Sequence, residues 1–516
     1  MNIANYDWID FYARTLPGKT ATIDIASNRS QTYAQMEKRV GHIAGYLLSQ
    51  GIKPQDRVGV FAQNSTDILE IMFAIWRVGA VHLALNFRLT AKELSSILSN
   101  AEPVMVFADS DFDDVIKTLR TDTDADTDTD TIKWVSMDGL GNDTEFERIM
   151  THAPYTNTND VEKITTPDQQ ALLMYSSGTT GTPKGVMISH ENIFYNATSG
   201  AFTLQTNREC VSYAVMPIFH IGSLMGFSLP ALYAGGTAII DRVFTPQAML
   251  AAINNKEYGI THFLGLPAIF NALSLHPDCK TTDFSRIKAA VGGAESMPIA
   301  LLNWWKDNAV PVLEVYGLTE TTGLGCILLH EDLEHKIGSA GQAPLFSQFC
   351  ILDEDGKERP RNTRGEICIK GANITSGYWR NPEATKAAFI NGWFRTGDIG
   401  RMDDDGYIYI EDRLKDMYIS GGENIYPAEI ESILFAMPEI MEVSVIGVPD
   451  EKWGETGCAV VVLNAGHTLD IEQIKSFCAE KLASYKHPQH LVFSEALPRN
   501  ATGKVLKFKL RQSIKI

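Results

Sequence analysis

Nowhere in this chain of 516 residues do ~20 consecutive apolar residues occur, the length a helix needs to cross a bilayer, so a helical membrane protein is excluded. Cysteine is scarce as well. The seven, at 210, 279, 326, 350, 368, 458 and 478, are odd in number and never spaced CxxC, which removes a disulfide framework and a thiolate zinc site and leaves reduced thiols. Positive charge is the third shortage. With 45 lysines and arginines against 63 acids the net charge is -18; such a surface repels a phosphate backbone on average, so no nucleic-acid partner is expected. Residues 1–10 hold neither a basic region nor the apolar core of a secretory signal, and the cytoplasm is the expected compartment.

What is present is the balance of a globular protein, 44% hydrophobic and 21% charged, in a chain long enough for several packed subdomains. The first 110 or so residues alternate two periodicities. Tyr33 to Gln50 and Asp67 to Val78 read as helices, Arg57 to Ala62 and Val104 to Ala108 as buried strands. That alternation predicts a mixed α/β fold, a sheet covered by helices. The run Thr121 to Thr131 alternates Thr and Asp, has no apolar residue larger than Ala125, and reads as a solvated loop; it lacks the glycine and the bidentate acid of a calcium loop. One apolar unit is expected over Thr261 to Ala272. Short β elements are expected over Pro344 to Gly377, with turns at Asp355-Gly356 and Arg364-Gly365. After a hairpin at Asp405 to Ile410, the charged segment Glu411 to Asp416 marks a boundary: a large domain over 1–412, a hinge at 413–415 and a small domain over 416–516. In the small domain helices are predicted at Pro427 to Phe435 and Ile471 to Leu482, and strands at Val443 to Val448 and Cys458 to Leu463.

The stretch Met174-Tyr-Ser-Ser-Gly-Thr-Thr-Gly-Thr-Pro-Lys-Gly185 has the composition of a phosphate cradle. Its glycines let backbone N–H groups approach a ligand, Ser176, Ser177, Thr179, Thr180 and Thr182 add hydroxyls, and Lys184 adds a cation. A Walker A loop ends Gly-Lys-[Ser/Thr], whereas Lys184 stands between Pro183 and Gly185, so the P-loop NTPase reading fails. A solvated Ser/Gly turn is the ordinary alternative. A lysine fixed behind a proline among so many hydroxyls argues against it.

As a whole string this stretch closely resembles the nucleotide loop of the adenylate-forming superfamily, which contains acyl-CoA synthetases, luciferases and peptide-synthetase adenylation domains. Four further segments resemble that family's motifs and follow its order over nearly the whole chain: Val291-Gly-Gly-Ala-Glu-Ser296, Val315-Tyr-Gly-Leu-Thr-Glu-Thr-Thr322, Trp393-Phe-Arg-Thr-Gly-Asp398 and Pro498-Arg-Asn-Ala-Thr-Gly-Lys504. Taken singly each residue has an ordinary use, Asp398 as a turn cap, Tyr316 in a core, Glu320 or Lys504 as a solvated charge. Five segments in one order outweigh those uses.

The resemblance implies a large N-terminal domain of βα subdomains, a small mobile C-terminal α+β domain, and ATP, Mg²⁺ and coenzyme A as ligands. Activating an acid means that one anion, the carboxylate, attacks another, the α-phosphate, and their repulsion must be cancelled. The roles carried over are Lys504 bridging the two anions, Glu320 and Thr179 holding Mg²⁺, Thr319 and Thr179 donating to phosphate oxygens, and Lys184 steadying pyrophosphate. Ser176, Ser177, Gly178 and Thr180 complete the phosphate loop; Gly293, Ala294, Glu295, Tyr316 and Gly317 frame the adenine and α-phosphate; Asp398 accepts the ribose hydroxyls, with Arg413 near ribose or phosphate. Lys415 matches the hinge about which the small domain turns, and Gly421 and Gly422 would then let the pantetheine arm pass.

The family's acyl pocket falls here on His220, Ile221, Gly222, Leu266, Gly317 and Gly323. These walls are mostly apolar, without the cations a dicarboxylate wants, and suit a fatty chain or a phenylpropenoid ring. The string Lys415 to Ile430 looks most like compact bacterial fatty-acyl-CoA and feruloyl-CoA synthetases. The implied enzyme is an ATP-dependent acid–CoA ligase for a small-molecule carboxylic acid; a homodimer stays open. Two other readings share parts of the pattern, an adenylation enzyme serving a carrier protein and a non-catalytic nucleotide sensor, though a sensor should have lost Lys504 or Glu320. His330-Glu-Asp-Leu-Glu-His335 is not a zinc-protease helix, since its histidines are five apart, and Asp403 to Gly406 reads as an acidic turn into a hairpin.

Overall fold

The computed structural model describes residues 7–121, 131–142, 144–156, 166–176, 183–293, 295, 297–413, 416–420, 423–450, 452–479, 481–499 and 504–514. Four sheets organise them. A six-stranded sheet runs in the order Lys133–Met137, Met105–Asp109, Arg57–Phe61, Val81–Ala84, Gln170–Ser176, Lys184–Ser189, parallel except for the last pair. Its inner strands Val81–Ala84 and Met105–Asp109 are buried at every position, as a parallel sheet covered on both faces requires. Helices Tyr33–Ser49 and Thr66–Arg77 pack on each other within this core. The first is started by a capping box in which Thr32 and Gln35 satisfy each other's backbone N–H.

The eight-stranded sheet carries most of the site. Six parallel strands run in the order Val312–Tyr316, Ala289–Gly293, His262–Gly265, Val211–Ala214, Thr237–Ile240 and Thr20–Asp24, with antiparallel Cys326–Ile327 and Arg29–Thr32 at the edges. The segments after Ala214, Gly265, Gly293 and Tyr316 therefore leave the carboxyl ends of neighbouring strands, where ligands of open α/β sheets are bound. The unit expected over Thr261 to Ala272 is in fact two elements. Pro267, with fixed φ and no N–H, ends strand His262–Gly265 and opens helix Pro267–Leu275 at its first position.

The third sheet is antiparallel and joins Ser347–Leu352, Gly365–Gly371, Trp393–Met402, Phe389–Ile390 and Ile408–Arg413. Asp403 anchors the turn before its last strand: one carboxylate oxygen accepts the N–H groups of Asp405 and Tyr407 and the other is 2.8 Å from Lys336. The fourth sheet uses only residues beyond Arg413: Glu423–Ile425, Tyr418–Ser420, Gly454–Leu463, Ile440–Asp450 and His490–Phe493. Helices Pro427–Leu434 and Ile471–Ala479 pack together in this small domain. His330–Asp332 and Leu333–Lys336 are two separate short turns, so His330 and His335 share no helix.

Candidate active site

A cavity of about 840 Å³ separates the large domain from the small one, and Glu314, Tyr316, Gly317, Asp398 and Lys504 line it. Tyr316 ends its strand with its hydroxyl donating to Asp398 Oδ2 at 2.6 Å. Burial, then the Asp398 carboxylate, drives the Tyr316 pKa well up, so the phenol keeps its proton and Asp398 keeps a donor. Asp398 is 3% exposed, and its neighbours aim it. Its N–H donates to Thr396 Oγ1, Thr396 donates to the Ile367 carbonyl on the adjacent strand, and Glu366 accepts from Gly397 N–H and Arg395.

The small domain is latched across this cavity. Val505 N–H donates to Glu295 Oε1 at 3.0 Å, and Arg499 lies 3.7 Å from Glu295 and 3.1 Å from Glu442. Arg499 and Val505 bridge one another, so Lys504 is presented from a closed loop base. Glu295, expected among the nucleotide contacts, thus has its carboxylate engaged by the small domain. Burial pushes its pKa up, while Arg499, the Val505 N–H and Lys504 pull it down.

A second cavity, of about 60 Å³, lies within the large domain and is mostly apolar; His220, Ile221, Gly222, Gly317 and Gly323 line it. Leu266 does not. It packs instead into the hydrophobic core beside helix Pro267–Leu275, and Leu264, one strand period earlier, faces the cavity. Burial, then the Lys504 charge, lowers the His220 pKa to about 4, and its Nδ1 accepts the Gly222 N–H at 3.4 Å, so the ring is neutral. The two cavities meet. Val315 and Gly317 line both, and a Cβ on Gly317 would stand 1.9 Å from the Gly323 carbonyl oxygen, so no side chain fits at the junction.

Strands Gln170–Ser176 and Lys184–Ser189 pair antiparallel with Ser176 opposite Lys184. Ser177, Gly178, Thr179 and Thr180 lie outside the described residues, as do Ala294, Lys415, Gly421 and Gly422. Arg413 is described in its backbone only, opposite Asp398. Lys184 Nζ sits 5.2 Å from the centre of the Tyr378 ring, and the Tyr378 hydroxyl donates to Glu320 Oε1 at 2.9 Å. Tyr378 thereby joins the loop lysine to the acid that follows Thr319, itself buried at the start of the short turn Thr319–Thr321.

Four residues at these sites had no signal in the sequence. Tyr378 is one. Glu314 has its carboxyl pushed up to about 8 by burial, with Oε2 lacking a hydrogen-bond partner among the described residues. Asn373, 3% exposed, donates to the carbonyls of Thr321 and Leu324 and accepts from Ser347, clasping the turn that carries Glu320. Asn196 holds both Met225 O and Leu324 N–H at the apolar cavity.

The family described as AMP-binding enzyme matches residues 9–379, and its C-terminal domain matches residues 429–504. This chain belongs to the AMP-binding enzyme family. Among relatives of this AMP-binding enzyme, the long-chain-fatty-acid–CoA ligase FadD13 of Mycobacterium tuberculosis is 38% identical over 500 residues, 97% of this chain and 96% of that one. The feruloyl-CoA synthase of Amycolatopsis sp. is 34% identical over 484 residues, 93% of each chain. The crystal structure of ATP-bound MatB from Rhodopseudomonas palustris superposes with a TM-score of 0.88 at 32% identity, covering 98% of each chain. The fold is thus that of the adenylate-forming enzymes, and the chain is an AMP-forming acyl-CoA ligase. No helix among the described residues is long and apolar enough to cross a membrane.

Proposed function

We propose that this AMP-binding enzyme joins an apolar carboxylic acid to coenzyme A in two half-reactions, with ATP in the interdomain cavity and the acid in the cavity within the large domain. The junction at Val315 and Gly317 is the observation that carries this reading. A carboxylate entering from the apolar side and an α-phosphate from the polar side meet there. A carboxylate oxygen attacks phosphorus, the bond to pyrophosphate breaks, and the acid becomes a mixed anhydride with AMP. The coenzyme A thiolate then attacks the carbonyl carbon and AMP leaves.

Lys504 lies close enough to be felt by His220 on the acid side and Glu295 on the nucleotide side, so its charge is set to offset the repulsion of the two anions. The neutral His220 adds no second cation and forms a wall that an apolar acid can pass. Asp398, oriented by Tyr316, accepts hydrogen bonds from the ribose. Glu314, holding its proton near neutrality, offers a donor and an acceptor together, the complement of the amidine edge of adenine. Glu320 supplies hard carboxylate oxygens beside the loop lysine, which fits Mg²⁺, a cation that binds through one or two carboxylates and phosphate oxygens and neutralises phosphate charge. Lys415 is the hinge of this proposal, and Lys415→Pro should spare acid-dependent pyrophosphate release while impairing thioester formation.

The relatives named for fatty-acid and ferulate activation support an apolar acid, alkyl or aryl, and the walls of the inner cavity suit either. The test is formation of AMP with ATP and Mg²⁺, with acid and coenzyme A each omitted in turn. AMP that requires both supports the ligase. AMP formation independent of coenzyme A, or silence on every acid, contradicts it.

A further inference from the structure

One wall of the inner cavity departs from a regular α-helix. Between short helices Ile221–Ser223 and Leu229–Tyr233 lies a π-helical turn, Leu224–Ser228, in which the Leu229 N–H reaches back to the Leu224 carbonyl. A widened turn displaces carbonyls from their ordinary partners, and polar side chains take up the surplus. The Asn196 amide donates to Met225 O at 2.9 Å and the Ser228 hydroxyl to Ser223 O at 3.1 Å, while the Ser223 hydroxyl ties the turn to Met216 O at 2.9 Å. The surroundings therefore hold the turn in its wide form.

Gly226 is at the centre of that turn and lines the cavity. A Cβ built on it meets no heavy atom within 4 Å, whereas one on Gly293 would stand 2.5 Å from Val315 and one on Gly317 only 1.9 Å from Gly323. Its φ is outside the left-handed region, so the backbone there suits any L residue. Neither packing nor conformation asks for glycine at 226. The room in front of it is the room of the cavity.

We infer that Gly226 is a specificity-determining residue that sets how large an acid the site accepts, and that the accepted acids are compact. A water-sized group needs at least ~10–15 Å³ of such space, so the cavity of about 60 Å³ takes a tail of at most about four to six such groups beyond the carboxylate. Hexanoate and benzoate meet that limit; palmitate and ferulate exceed it. Leu204 closes the cavity from the end of helix His190–Thr203 and makes the complementary test. The inference rests on the ligase reading proposed above and narrows its substrate.

The experiment measures kcat/KM of the full chain for butanoate, hexanoate, benzoate, octanoate, palmitate and ferulate, in the natural protein, Gly226→Ala, Gly226→Leu and Leu204→Ala. The natural protein should prefer hexanoate and benzoate. Gly226→Ala should lose about tenfold on both while butanoate changes less than about threefold, with Tm and the KM for ATP unmoved; Gly226→Leu should restrict the site further. Leu204→Ala should shift the preference toward octanoate. A preference of the natural protein for palmitate or ferulate, or Gly226 variants that scale all acids equally, overturns the inference and leaves the ligase reading intact. Silence of the natural protein on every acid overturns both.

Discussion

The two cavities that meet at Gly317 are built on opposite principles. The outer one, about 840 Å³, is lined by charged groups drawn from residues far apart in the chain, and small-domain residues complete it. The inner one, about 60 Å³, lies in the large domain alone, and almost everything facing it is apolar or glycine. Charge acts through particular atoms, so loss of one group on the outer side cannot be shared among neighbours. Apolar burial is additive and non-directional, so the inner side should respond in steps of size.

The sharpest way to break this contrast is Lys504→Ala, which removes the cation that the proposed reaction sets between two anions. A single preorganised donor of this kind is worth ~10²–10³ in rate, and acid-dependent pyrophosphate release should fall by at least that much. Next is Tyr378→Phe, which keeps the ring under Lys184 but takes the hydroxyl from Glu320. Loss of a hydrogen bond to a charged group costs ~1.5–3 kcal/mol, so the apparent affinity for ATP with Mg²⁺ should fall by roughly tenfold or more, and titration with Mg²⁺ should show it. Tyr378→Leu, which removes the ring as well, should cost more.

On the apolar side the effect is graded. Each methylene buried is worth ~0.8 kcal/mol, about fourfold in binding, so lengthening a straight-chain acid should lower its KM by about that factor per carbon until the cavity is full. A KM that ignores chain length would erase the distinction between the two cavities.

The smallest effect concerns Glu314, which lines the outer cavity with its Oε2 buried. Its pKa is raised to about 8 from 4.5, so between those values the folded chain holds a proton that the unfolded chain has released. Stability from this group is therefore present at low pH and lost as pH rises from about 4.5 toward 8. Glu314→Gln, which cannot ionise, should flatten that part of the profile. The gain near pH 8 should be on the order of 2 kcal/mol or less after solvent screening, read as a difference in Tm between pH 6 and pH 8.5.

The same contrast governs what the sequence discloses. Tyr316, Asp398 and Lys504 are far apart in the chain but sit in short strings of polar and glycine residues, and the fold brings them to one cavity. Helices and strands with strong periodicity, such as Tyr33–Ser49 and Arg57–Phe61, are likewise readable to within a residue. The inner cavity is harder because one leucine looks like another. Whether Leu264 or Leu266 faces the acid depends on where Pro267 ends the strand, and Gly226 matters only because a π-turn points it into the opening. Asn196, Asn373 and Tyr378 act through partners 29 to 128 residues away, a relation that local pattern does not encode. Glu295 shows the converse case, a residue in a recognisable string whose carboxylate the small domain takes up.

The most direct test of the junction is a single-turnover experiment with excess enzyme, ATP, Mg²⁺ and hexanoate, following pyrophosphate and AMP separately before and after coenzyme A is added. If the acid and the α-phosphate meet at Gly317, pyrophosphate appears in a burst without coenzyme A, the adenylate stays bound, and AMP is released only when the thiol arrives. Release of AMP at the same rate without coenzyme A, or no burst until the thiol is present, would contradict a site in which the two cavities share one reacting point.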